Sequence, residues 1–181
     1  MLPFVRMIKD IILARRLPPL EHFTDTHVFS HICWPWDIDL FGEMNNGRVL
    51  TIYDLGRLAT AQHAGLVKAL IDNKWRLAIA GAMVRYRRRL AAFERFTMRS
   101  RMVCWDKSFI YIEQSMWKLD GECASHIIYR IVVTEKRRAI PPARVAAVLH
   151  RDPINPPMPD WIVAWTLAED KRPWPPMPEI Q

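Results

Sequence analysis

Between Trp36 and Arg48 the sequence reads WDIDLFGEMNNGR and brings two kinds of reactive group together. Asp39 and Glu43 are carboxylates four residues apart. A carboxylate held beside a reacting carbonyl acts as general base or as nucleophile. Two carboxylates facing one pocket divide into acid and base roles. Asn45, Asn46 and Gly47 then open a long helical segment. First-turn N–H groups lack intrahelical acceptors and carry the positive end of the helix dipole, so they can polarise a carbonyl. An Asn side chain could also orient an attacking water. Each residue has a plainer reading beside this one. Asp39 can be a turn or cap aspartate bonding nearby amides. Glu43 can be a solvated loop residue, or an acid that favours a helix start. An Asn can simply be an N-cap, and one Asn can cap while the following amides stay free.

A second constellation is basic. Arg85, Arg87, Arg88, Arg89, Arg95, Arg99, Arg101 and Lys107 stand against Glu94 and Asp106, so residues 85–107 carry +6 of the chain's net +7. Such a concentration asks for an anionic partner: a phosphorylated small molecule, a nucleic acid or a membrane surface. Arg85, Arg87 and Arg89 alternate along a strand pattern and would share one face, and Arg99 and Arg101 share a face of the next strand. Guanidinium groups suit phosphates through paired bonds. The plainer reading is a solvated sheet face balanced by other residues.

The elements that must position these groups are legible in outline. Residues 26–36 read as a strand. The segment Gly47–Asp72 reads as one helix, apolar nearly all round, with a thin polar stripe of Asp54, Arg57, Ala61, Gly65, Lys68 and Asp72. A helix of that kind is a core element wrapped by something else. The period then changes to two, giving strands over 75–90, 96–105, 109–119 and 122–134, with Asp120-Gly121 as a hairpin signal. Two short helices follow, about 143–150 and 160–170; Trp161, Ile162 and Trp165 give the second an apolar stripe that should dock on the body. The simplest packing is a curved antiparallel sheet wrapped around its own central helix.

Composition narrows the class. The chain has 181 residues, half of them hydrophobic and a quarter charged, which is ordinary for a single globular domain. Ten of the 14 prolines lie at or beyond Pro141. Cys33, Cys104 and Cys123 cannot all pair, and no CxxC or ligand-like His spacing points to zinc. Free thiols favour a reducing compartment, most simply the cytoplasm. No uninterrupted apolar run reaches the ~18 residues of a membrane span. The opening segment, broken by Arg6, Lys9, Asp10, Arg15 and Arg16, is not a secretory signal. It reads as an N-terminal helix packed on its own protein or a partner, with peripheral membrane contact as the other option. No G-x-S-x-G, P-loop or G-x-G-x-x-G occurs, and the six histidines give no triad.

The element order, with D-x-D and N-N-G at the strand-to-helix junction, resembles the hotdog-fold thioesterases of the 4-hydroxybenzoyl-CoA thioesterase-like branch. The nearest resemblance is to the thioesterase superfamily member six group. It rests on Asp37-Ile38-Asp39-Leu40, Met44-Asn45-Asn46, the basic strand Arg85-Tyr86-Arg87-Arg88-Arg89, and the hairpin Trp105–Glu113. It covers about residues 24–138, leaving an N-terminal helical extension, 1–23, and a Pro-rich C-terminal extension, 139–181.

The resemblance implies an α+β hotdog fold and an acyl-CoA thioesterase needing no cofactor or metal. It also implies a homodimer, or dimer of dimers, with the site at the subunit interface. Relatives carry His where this chain has Glu43 and Asn where it has Phe41, so Asp39 is the catalytic carboxylate carried over. Glu43 is its candidate partner, and Asn46-Gly47 the oxyanion site. Asn45, Trp36, Phe41 and the arginines Arg85, Arg87 and Arg89 would bind an acyl-CoA or acyl-carrier thioester, with Trp34, Trp36 and Phe41 lining an apolar acyl pocket. A non-catalytic acyl-CoA or lipid-binding hotdog protein is the alternative. An RNA-binding protein using the Arg strands is a second, though the stretch lacks an RNP-like pattern and no nucleic acid is expected.

Overall fold

A computed structural model describes residues 4–17, 20–22, 24–149 and 155–177. The ends of the expected N- and C-terminal extensions, and His150 at the end of the first tail helix, lie outside the described residues. Helix α1 (Phe4–Arg16) leads into β1 (His27–Ile32), a 3₁₀ turn at Pro35–Asp37, α2 (Asn46–His63) and α3 (Leu66–Asp72). Strands β2 (Arg76–Tyr86), β3 (Arg95–Trp105), β4 (Ile110–Lys118) and β5 (Cys123–Glu135) follow. A short β6 (Arg138–Ile140), α4 (Pro142–Val148) and α5 (Asp160–Lys171) complete the chain.

The sheet is antiparallel throughout in the order β1-β3-β4-β5-β2, with β6 added beside β5. It curls around α2. Val49, Ile52 and Tyr53 of α2 pack with Phe96, Met98, Met116, Ile127 and Ile131 of the sheet in one core. Gly56 sets how close helix and sheet come: a Cβ there would lie 2.2 Å from Met98 Cε and 2.9 Å from Gln114 Nε2. Two polar pairs lie in this core: Tyr53 and Ser125 share a hydrogen bond of 2.7 Å and Gln114 donates to Ser100 Oγ at 2.8 Å, while Gln114 Oε1 and the Tyr129 hydroxyl have no hydrogen-bond partner among the described residues. On the outer face of the sheet, Ile162 and Trp165 of α5 dock on Cys104, Tyr111 and Ile128.

Four expectations need correction. The single helix over Gly47–Asp72 is two: Gly65, at φ +79°, ends α2 in the left-handed conformation and starts α3 at a new angle. The first strand stops at Ile32, because Pro35 opens the 3₁₀ turn. The strand expected over 75–90 stops at Tyr86, where the amides of Arg87 and Arg88 both donate to Ala124 O. A bulge between Ile79 and Gly81 also shifts the side-chain alternation along β2.

Helix α1 packs on its own protein, against β1 and α2, through Ala14, Phe29 and Ala59. His27 and His31 of β1 are buried under it or beside it. Burial, with His63 adjacent, pushes the His27 pKa down to about 4. Burial, with the charges of Lys9 and Arg6, takes His31 down to about 3. Both histidines stay neutral in the fold while free histidine titrates near 6.5. Below that value the unfolded chain binds protons that the native chain refuses, so stability is present above pH 6.5 and lost as pH falls toward 4. The expected slope is about 1.4 kcal/mol per pH unit for each histidine. Asp10, whose pKa burial raises, works in the opposite sense. Urea midpoints should therefore drop between pH 7 and 5, and a flat profile would contradict this assignment.

Candidate functional site

The loop between the 3₁₀ turn and α2 is a small folded unit. Asp39 N–H donates to Glu43 O at 2.9 Å, Gly42 N–H returns to Asp39 O at 3.2 Å, and Gly42 takes φ +76° to close the turn. Met44 N–H donates to Leu90 O at 2.9 Å and Asn45 N–H to Asp37 O at 2.8 Å, which anchors the loop at both ends. The half-buried Asp39 accepts from Phe41 N–H at 2.8 Å through one carboxylate oxygen, leaving the other oxygen without a partner among the described residues.

Asp37 and Asp39 have divided environments. The Asp37 side chain is fully buried; it binds Arg6 at 2.5 Å and Arg48 at 3.2 Å, and accepts from Trp34 N–H at 2.9 Å. It is a structural anchor for the strand-to-helix junction. Sequence reading passed over Asp37 and Arg48, although both stand in the motif.

At the start of α2 the side chain of Asn45, the N-cap, accepts from Gly47 N–H at 2.9 Å and Arg48 N–H at 3.2 Å. The expected oxyanion site is the pair Asn46-Gly47. The Gly47 amide is already used, and the amide that has no acceptor among the described residues is that of Asn46.

Two clefts flank this helix end. One, of about 320 Å³, is bordered by Glu43, Asn46, Tyr86 and the consecutive Arg87, Arg88 and Arg89. The other, of about 310 Å³, is bordered by Trp36, Asp37, Asn45, Gly47 and Arg48. Glu43 turns to Arg89 at 3.3 Å and borders the arginine cleft, whereas Asp39 borders neither of these two clefts.

The arginine ladder is likewise rearranged. Arg85 pairs in register with His126, so it lies on the outer face, while the irregular end of β2 gathers Arg87, Arg88 and Arg89 at the cleft. Arg88, which alternation alone placed on the wrong side, is among them and binds Glu122 at 2.9 Å. Arg101 pairs with Glu113 at 2.8 Å, and Arg99 lies over the Trp117 ring at 4.6 Å, so these outer-face cations are engaged within the fold.

The apolar wall expected beside Asp39 is not enclosed by one chain. Trp36 is 67% and Phe41 82% exposed, and Trp34 stacks on Trp36 at 5.3 Å. An apolar crevice does exist elsewhere, between the C-terminal half of α2, α4 and the sheet. It measures about 70 Å³ and is bordered by Thr60, Leu66, Leu77, Met102 and Ile110.

The sequence profile of the thioesterase-like superfamily matches residues 33–166, from the strand-to-helix junction into α5. The chain belongs to that superfamily. Protein THEM6 of Xenopus laevis is 30% identical over 170 residues, covering 92% of this chain and 80% of that protein. Among solved structures, the probable thioesterase YbaW of Escherichia coli superposes with TM-score 0.63 at 13% identity, covering 67% of this chain and 95% of its own. The Staphylococcus aureus protein SAV2348, solved in complex with CoA, gives 0.62 at 16% identity, covering 76% and 89%. At these identities the structural likeness establishes the fold: this superfamily member has the α+β hotdog architecture, with α2 as the enclosed helix.

Proposed function

We propose that the protein hydrolyses acyl-CoA thioesters. The observation that carries this reading is the cleft at the start of α2. It sets the unpaired Asn46 amide and the positive end of the helix dipole across from Arg87, Arg88 and Arg89. A thioester carbonyl at the helix end gains hydrogen bonding as its oxygen becomes an oxyanion, and guanidinium groups bind the phosphates of CoA. CoA bound to the structurally similar SAV2348 supports the same ligand class here. Asp39 stands outside this cleft in one chain, in the tight loop that leads to the same helix end, and supplies the base or nucleophile once the second chain completes the site. Free acid and CoA thiol leave. Glu43 orients Arg89 and takes no part in the bond-breaking step.

The acyl pocket requires a second chain. Strand β2 is one of the two edges of the sheet, opposite β1, and Ile79, Met83 and Tyr86 on it are 38–41% exposed. An unpaired edge of this length pairs readily with another strand. A dimer joined edge to edge along β2 brings the partner's surface to the exposed Trp36 and Phe41. Ile79→Lys with Met83→Lys should therefore convert the dimer to monomer and abolish turnover, as read by sedimentation and thiol release. A monomeric parent would refute the dimer.

Arg87→Ala with Arg89→Ala should weaken CoA binding by about tenfold, most strongly at low salt, where screening is least. Equal affinity of variant and parent, measured by calorimetry, would remove the phosphate role. The reading as a whole is tested by release of free thiol from acyl-CoAs.

A further inference from the structure

Helix α1 is built inside out. A surface helix ordinarily turns its apolar stripe inward and its charges to water. Here the buried residues are Arg6, Asp10 and Ala14, at 8, 0 and 2% exposure, while Phe4, Val5, Ile8 and Ile12 are 56, 84, 54 and 45% exposed. Helical spacing puts those four apolar side chains on one face, opposite the buried set.

Two buried polar contacts fix the rotation. Arg6 donates to Asp37 at 2.5 Å and to Ile32 O at 2.8 Å, and Asp10 lies beside Lys9 and His31. Rolling the helix to hide its apolar face would leave Asp37 without Arg6, and uncompensated buried charge is strongly unfavourable. The apolar face therefore stays outward.

The surface continues beyond the helix. Val5, Trp34 and Leu119 border one groove with Lys9 and Arg95. Trp34 meets Phe93 edge-on at 6.3 Å, and Phe93 and Leu119 are 65 and 74% exposed. The cations around this area include Lys9, Arg15, Arg16 and Arg95; the single acid of α1, Asp10, is buried, and Asp120, next to Leu119, lies 4.0 Å from Lys118. Glu94, next to Arg95, is engaged by Lys118 at 3.1 Å.

Apolar side chains ringed by cations, with Trp at the margin, match a lipid interface whose headgroups are negative. A second copy is a poor occupant, since a two-fold contact would set these cations against each other. No helix among the described residues is long and apolar enough to cross a membrane, and the exposed apolar side chains of α1 run along one side of it, so it would lie in the plane of the interface. We propose that α1, with the neighbouring Phe93, docks the protein on an anionic membrane surface. This docking is independent of the hydrolytic site.

The test uses the full chain and phosphatidylcholine vesicles with and without phosphatidylserine. The protein should pellet with the phosphatidylserine vesicles, and added salt should release it. Ile8→Ser with Ile12→Ser should lower the bound fraction by about tenfold or more, with an unchanged melting curve because both side chains face water. Arg15→Gln with Arg16→Gln should lower binding on the phosphatidylserine vesicles alone. The proposal is overturned if the parent stays in the supernatant with both vesicles, or if the double serine variant pellets like the parent. It is also overturned if that variant instead shifts the protein to a smaller oligomer, which would assign the face to a second copy.

Discussion

Asp39→Asn should reduce thioester turnover by about 10²–10⁴-fold, the usual cost of losing a general base, and leave the melting temperature unchanged. The amide keeps the size of the carboxylate, and its oxygen can still accept from Phe41 N–H, so the loop that closes through Gly42 is preserved. What disappears is the ability to take a proton or attack a carbonyl. Glu43→Gln is the matched control. Glu43 faces the exposed Arg89, so its loss should change CoA affinity slightly and the chemical step little. If Glu43→Gln matched Asp39→Asn in lost turnover, Glu43 would be the partner acid or base. Full turnover by Asp39→Asn would remove Asp39 from the mechanism.

Asp37→Ala, two residues away, should do the reverse and act on stability. Its carboxylate is the buried counter-charge of Arg6 and Arg48 and the acceptor for Trp34 N–H. Removing one partner of a buried pair costs about 3–5 kcal/mol, a large share of the roughly 5–15 kcal/mol that holds a domain folded. Urea unfolding of Asp37→Ala should show that loss, and α1 should become sensitive to protease because Arg6 no longer anchors it. Replacing the pair together, Arg6→Met with Asp37→Leu, should recover much of the stability, since a well-packed apolar pair can match a buried ion pair. A loss under 1 kcal/mol in the single variant would mean that Arg6 and Asp37 contribute little to the fold.

The fold was readable because its pattern is locally consistent. A near-uniformly apolar helix between one strand and a four-strand meander leaves few ways to bury its surface. The breaks were harder to read. Gly65 stands in a helical pattern and is told from an interior glycine only by its left-handed φ. The site was readable in its location but less so in its assignments. D-x-D marked the junction, yet burial alone separates Asp37 from Asp39. The N-cap fell on Asn45, and the first of two adjacent asparagines is not distinguishable from the second by type. The arginines followed strict alternation in sequence, but the strand ends at Tyr86 and the amides of Arg87 and Arg88 both bond Ala124 O, which leaves Arg85 apart and brings Arg88 to the cleft. For α1, the charge interruptions were visible, but not that Arg6 and Asp10 point inward. That depends on Asp37 and His31, which stand far along the chain.

The central claim is hydrolysis of a CoA thioester at the start of α2. Its most direct test is release of free thiol by the purified full chain from a panel of aliphatic and aromatic acyl-CoAs, with equilibrium binding measured on the same panel. The account predicts turnover of at least one substrate above the uncatalysed rate, abolished by Asp39→Asn while that variant still binds the thioester. Binding of acyl-CoA by the parent without release of thiol from any member of the panel would contradict it, and would make the protein an acyl-CoA carrier.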